Sequence, residues 1–263
     1  MKIKTVKNNL LRFNGYFLLS LFITTFSFAD DPCGGYFADY ELKCPKYNKK
    51  HDGMWAEASV IPCNIETLEV DNIELNKLLE ELKKHGNPKQ KAILDEMHAA
   101  WEALKIAQSA LVRTYYEGVT YEKWTTGSEV AMTQARIKEL KQLREVILHK
   151  KDGLKTNIQH EGVAFSYDKQ ALKNDTLKLN AQFDRLMKYA TKEQQLILKD
   201  MQTAWRNLKK AQSELIGAYS NNIDYLENMY AYDTDMTRKR LEALNQLGQG
   251  ILWQARDTEE ENK

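Results

Sequence analysis

Proline and glycine are scarce: four and twelve in 263 residues. A many-stranded fold needs turn residues at short intervals, so this shortage excludes most all-β plans and favours long helices. Past the first 30 residues the chain has no apolar run long enough to span a bilayer. An excess of basic charge is also missing. Residues 1–29 hold Lys2, Lys4, Lys7 and Arg12 and no acid; without them 34 basic residues face 37 acidic ones, a net of −3. A nucleic-acid partner, which needs a basic face, is therefore not expected. The signatures of common catalytic sites are absent as well: no H-E-x-x-H, no phosphate loop, no nucleophile elbow and no dinucleotide fingerprint. The five histidines, His51, His85, His98, His149 and His160, fall in no metal-ligand pattern. The chain is read as a non-enzyme that needs no metal or cofactor.

What is present begins with an address label. Four basic residues precede a mostly apolar run from Tyr16 to Phe28, and Ser27-Phe28-Ala29 places small residues at the first and third positions before a cut. This pattern predicts a signal peptide over 1–29, cleaved after Ala29, and a periplasmic or secreted protein with no membrane span after cleavage. The competing reading is a short membrane anchor, for which the run is too short.

All three cysteines, Cys33, Cys44 and Cys63, lie in a lead-in over 30–66 that also holds Gly34, Gly35, Pro45, Gly53 and Pro62. Export to an oxidising compartment favours a disulfide. Three thiols allow three pairings, each leaving one cysteine that could link two chains as a homodimer. A metal site with His51 as fourth ligand is the alternative, but the spacing fits no compact zinc pattern.

The rest of the chain repeats itself. LDEMHAAWEALKIAQSALVRTY from Leu94 recurs as LKDMQTAWRNLKKAQSELIGAY from Leu198, and Trp101 and Trp205 stand 104 positions apart. The same offset pairs Asp71 with Asp175, Asn76 with Asn180, Tyr121 with Tyr225 and Arg136 with Arg240. Residues related by it are called twins below. Within each copy, apolar residues recur at alternating steps of three and four, as in Leu94, Met97, Trp101, Leu104, Leu111 and Tyr115, which is the stripe of a helix packed on one face. Gly86-Asn87-Pro88 should end one helix and start the next, and Thr191 to Gln194 has capping-box spacing. Thr126-Gly127-Ser128 and Ala231 to Thr234 read as turns, and Asn221-Asn222 as a weak point. The expected fold is all-α: two tandem three-helix bundle units, 67–150 and 167–256, joined by a linker over 151–166 and followed by a charged, frayed tail over 257–263.

Several polar residues interrupt the apolar stripes in both copies: Asp71 and Asp175, Gln108 and Gln212, Arg136 and Arg240. A buried polar group is costly unless paired, so contacts from Asp71 to Arg136 and from Asp175 to Arg240 are expected. A polar pocket inside each bundle is the alternative. Trp101 and Trp205 read as core anchors.

At Leu198, Lys199, Gln202, Ala204, Trp205, Lys209 and Ala211 the chain resembles the lysozyme-inhibitor family named after LprI. Asp71, Leu75 and Asn76, and again Asp175, Leu179 and Asn180, resemble the start of that family's domain. Lys209 replaces a family arginine, His98 stands where the family has glutamine, and Leu140 to Arg144 approximates a later element that Gly248 breaks in the second copy. The family cysteine that ends the central helix is Ser109 here and Ser213 in the second copy. The resemblance places its expected partner near Arg136 and Arg240, so both ends of that bond are missing together. The resemblance implies an exported helical domain and, for some members, a protein that binds and inhibits lysozyme.

Two functions follow as expectations. One is a periplasmic protein partner of lysozyme-type hydrolases, with Tyr121, Lys123 and Trp124 as an insertion loop over Tyr121 to Ser128. Its counterpart runs from Tyr225 to Tyr232 and includes Met229 and Tyr230. The other is a non-catalytic envelope scaffold with a different protein partner.

Overall fold

The computed structural model describes residues 41–44, 57–115, 119–148, 169–219 and 225–261. The expected signal peptide, Cys33, His51, the linker over 151–166 and Asn221-Asn222 lie outside them. Six helices follow in order: α1 (Glu57–His85), α2 (Pro88–Arg113), α3 (Val119–Leu148), α4 (Lys169–Tyr189), α5 (Lys192–Tyr219) and α6 (Tyr225–Glu261). The fold is all-α, with three helices per repeat and no strand among the described residues. None of these helices is long and apolar enough to cross a membrane.

The helices run longer than the turn residues imply. Thr126-Gly127-Ser128 lies inside α3 and Ala231 to Thr234 inside α6, so neither is a turn. In α3 the Thr126 hydroxyl donates back to the carbonyls of Glu122 and Lys123, as a threonine does within a helix, and Gly127 and Ser128 are buried. In α6, Thr234 is fully buried, and packing overrides its weak helix preference. The helix also continues to Glu261, through most of the expected frayed tail. The lead-in is likewise partly helical, because α1 begins at Glu57 and takes in Pro62 and Cys63. Proline lacks an N–H, but so near a helix start this removes a single backbone bond.

Where the sequence places helix starts by capping, the structure follows. Asn87 caps α2 ahead of Pro88: its side chain accepts from the Gln90 N–H, and the Gln90 side chain accepts from the Asn87 N–H. Thr191 and Gln194 form the same reciprocal pair at α5. Gln90 and Gln194 are twins, and each reaches further. Gln90 Nε2 donates to the Ala218 carbonyl at 2.9 Å, and Gln194 Nε2 donates to the Thr114 hydroxyl at 3.0 Å. Thr114 and Ala218 are twins too, so the start of each central helix is tied to the end of the other. The central helices therefore run antiparallel about a pseudo-twofold axis.

α2 against α5 is the most extensive helix pair, followed by α1 with α3 and α4 with α6. Leu94, Met97, Trp101 and Leu111 on α2 and their twins Leu198, Met201, Trp205 and Leu215 on α5 all belong to one continuous core. The two repeats thus bury their central stripes against each other, and α3 and α6 cover the flanks. At the end where Thr114 meets Gln194, α6 closes the seam. Tyr115 donates its hydroxyl to the Leu247 carbonyl at 2.8 Å, and Gln254 donates to the Thr114 carbonyl at 2.8 Å. This approach needs Gly250, where an added Cβ would sit 2.8 Å from the Tyr115 ring. Gly248 leaves similar room for the Leu186 side chain.

Before α1, residues 41–44 lie against α1 and α3. Cys44 and Cys63, both buried, form a disulfide across 19 residues of sequence, which selects one of the three open pairings. The Lys43 N–H donates to Thr67 Oγ1, and the Gln134 amide both accepts from the Glu41 N–H and donates to the Glu41 carbonyl.

Two stability predictions follow. Removing the bridge as Cys44→Ser with Cys63→Ser frees a loop of about 20 residues in the unfolded chain, and should lower unfolding free energy by about 3 kcal/mol in urea titrations. Gly250→Ala forces α6 off Tyr115 and should cost about 1–3 kcal/mol by the same measurement, with no loss of helix content in circular dichroism.

Candidate functional site

The polar residues that interrupt the apolar stripes are buried as a set. Asp71, Gln108, Arg136, Asp175, Gln212 and Arg240 all lie in the interior, as do Trp101 and Trp205. The pairing between them differs from the expected one. Asp71 accepts from Lys43 Nζ at 2.7 Å and from Gln134 Nε2 at 2.8 Å, and Arg136 is not its partner. Asp175 accepts from Arg238 Nε at 2.6 Å, and Arg240 is not its partner. Gln134 and Arg238 are twins, so both copies use the position two residues before the expected arginine. A shift of two residues is about 200° around a helix, which separates the face toward α1 or α4 from the face toward α2 or α5. In the first copy burial lowers the Lys43 pKa, but Asp71 and then Glu74 outweigh it and hold the ammonium above the usual lysine value.

The arginines turn instead toward the central helices. Arg240 Nε donates to Gln202 Oε1 at 3.3 Å. The twin of Gln202 is His98, and there the arrangement diverges. Arg136 donates through Nη1 to Glu139 at 2.8 Å, while its Nε and Nη2 and the Nδ1 of His98 are buried without a hydrogen-bond partner among the described residues. His98 stacks on Trp101 at 5.9 Å. Burial depresses its pKa. Glu102 pulls it back up, and the charges of Arg136, Lys105 and Lys83 push it further down. The two tryptophans carry matching cations: Lys105 lies 4.6 Å from the Trp101 ring and Lys209 5.6 Å from the Trp205 ring. Lys209 is held below the usual lysine range by burial, partly offset by Asp233.

The twin serines Ser109 and Ser213 also differ. Ser213 donates to Asp233 at 2.5 Å, whereas the Ser109 hydroxyl is buried with no partner. Gln212 Oε1 is in the same condition. Among the described residues no group of three or more His, Cys, Asp or Glu side chains is placed to hold a metal.

The expected insertion loop is a helix. Tyr121 to Ser128 lies within α3 and Tyr225 to Tyr232 within α6. Lys123 stacks over Trp124 at 5.1 Å, and Trp124 packs against the core. The side chains of Tyr121, Tyr225, Met229 and Tyr230 lie outside the described residues. An apolar surface does exist elsewhere, on the outer side of α1, where Ile65, Val70 and Ile73 are exposed. Ile73 is 71% exposed, and its twin Leu177 on α4 is 59% exposed. Sequence reasoning missed this face because it followed only the stripe that faces the core. On that stripe Leu75, Leu78, Leu79 and Leu82 are buried.

The His98 and Arg136 pair yields a test of how the copies diverged. In the folded chain His98 favours its neutral form, and the unfolded chain binds a proton near pH 6.5. Its contribution is therefore complete above about pH 6.5 and is lost as pH falls toward the depressed folded value. His98→Gln, which copies the Gln202 arrangement, should remove this part of the acid sensitivity. It should also raise stability at neutral pH by about 1 kcal/mol through a new bond to Arg136 Nε, both read from urea titrations across pH 5–8.

No family model matches the chain, and no curated protein matches it. Among solved structures it is similar to a putative uncharacterized protein from Burkholderia thailandensis, at 15% identity and a TM-score of 0.53, over 73% of this chain and 88% of that one. At that identity the likeness concerns the fold alone.

Proposed function

We propose that the protein is an exported, non-catalytic binding module whose partner is a basic protein, with lysozyme-type hydrolases as the first class of target. The observation that carries this reading is the outer face of α1. Ile65, Val70 and Ile73 form an exposed apolar strip with Glu69 among them. From Glu57 to Asn76 the helix contains five acids and no lysine or arginine. Two of those acids are already neutralised from outside the helix: Asp71 by Lys43, and Glu74 by Lys43 and Lys141. An apolar centre with an acidic margin suits a cationic partner, because charge guides the encounter and apolar contact holds it.

Other features agree with this reading. Trp101 and Trp205 are buried in the core, which leaves the exposed face of α1 to meet a partner. The buried disulfide suits an oxidising compartment. The resemblance to the LprI-type inhibitors supplies the target class. A partner surface on α1 replaces the insertion loop expected over Tyr121 to Ser128.

Purified residues 30–263 should bind and inhibit at least one lysozyme type in a cell-wall turbidity assay, with near-stoichiometric titration. Ile73→Asp should weaken that binding about tenfold or more while leaving the thermal transition unchanged, because its side chain is mostly in solvent. Binding that Ile73→Asp leaves intact would move the surface elsewhere. No binding to any lysozyme type would leave an envelope scaffold with a different protein partner.

A further inference from the structure

Arg136 is 1% exposed, and one of its three guanidinium nitrogens has a protein partner. Nη1 is taken by Glu139, whose side chain is 41% exposed. Nε and Nη2 are buried and meet no acceptor among the described residues. Those two nitrogens point their N–H bonds in parallel along one edge of the planar group. That edge grips a carboxylate through two hydrogen bonds. Left unmet in the interior, it costs the desolvation of two charged donors.

The surroundings suit an anion. His98, on the neighbouring α2, is influenced by the charges of Arg136, Lys105 and Lys83 against the single acid Glu102. Its Nδ1 is buried and unpartnered as well. From α6, the phenol of Tyr232 is held in its protonated form by burial and by the charges of Glu139, Asp235 and Asp233, with Arg136 opposing them. The twin site differs at Nε. There Gln202 supplies an amide oxygen to Arg240 Nε, while Arg240 Nη2 is unmet among the described residues. Where the second copy has Gln202 the first has His98, and both nitrogens of the Arg136 edge are unmet.

We propose that the Nε–Nη2 edge of Arg136 binds a small carboxylate anion. The anion accepts two hydrogen bonds from the guanidinium, and its charge favours a proton on His98. Binding and protonation then reinforce each other, so affinity rises as pH falls through the His98 titration. The groups that set this titration are Glu102 and Lys105 on α2, Arg136 on α3 and Lys83 on α1. The site is independent of the outer face of α1, and its occupancy does not depend on which protein the molecule binds.

The test is a formate titration of residues 30–263 at pH 6 and pH 8, with sodium chloride as the matched-ionic-strength control. Thermal shift and the His98 ring resonances are read together. Formate should raise Tm saturably, more at pH 6 than at pH 8, and the His98 pKa should rise with occupancy. Arg136→Met should abolish both effects. His98→Gln supplies an internal acceptor in place of the anion and should lower formate affinity about tenfold, a change of about 1.4 kcal/mol, while the fold is kept. An equal response to chloride, a response that survives both substitutions, or a His98 resonance that does not move would overturn the proposal.

Discussion

The antiparallel seam between α2 and α5 is the contact on which the rest of the molecule depends. Each central helix carries one apolar stripe centred on a tryptophan, and the two stripes cover each other. Gln90 and Gln194 then fasten the ends. Each glutamine closes its own helix start through Oε1 and the opposite helix end through Nε2. Gln90 thereby satisfies orphan groups at two helix termini, while Gln194 reaches the other helix end through the Thr114 hydroxyl and Gln254 meets the Thr114 carbonyl. The outer helices inherit their positions from this seam: α3 and α6 flank it, and α1 and α4 lie on them.

A seam of this kind resembles the isologous interface of a twofold dimer, with the two copies joined in one chain. Joining them removes the requirement that the halves stay identical, and the differences show where the copies have specialised. The first half carries a lead pinned by the Cys44–Cys63 bridge, by Lys43 on Asp71 and by the Gln134 amide on Glu41. In the second half Arg238 meets Asp175 directly. The second half keeps the Gln202 to Arg240 bond, while the first places His98 beside an arginine whose edge stays open. The glycines at 248 and 250 let α6 close on Leu186 and Tyr115, and their twins in α3 are Arg144 and Val146.

Much of this was legible from local signals. Capping residues at Asn87 and Thr191 mark helix starts because they act within one turn of chain. The alternating three-and-four steps around Trp101 and Trp205 mark the core face for the same reason. The errors share a cause too. Thr126-Gly127-Ser128 looks like a turn when only neighbours are counted, but long-range burial holds it in a helix. Asp71 and Arg136 looked like partners because both were polar on apolar stripes, yet each helix has two buried sides, and stripe membership does not say which side a residue serves. The apolar strip on α1 was missed because periodicity picks out the stripe that packs and says nothing of apolar residues beside it.

The sequence alone determined the helical class, the repeat and its 104-residue offset, the capped starts and the tryptophan core, because each is written in spacing along one chain. The tertiary structure decided which helices pair, which cysteines join, which acid meets which base, and which apolar face stays outside. Those choices depend on contacts between residues far apart in the chain, where burial and charge act together and local preference has no say.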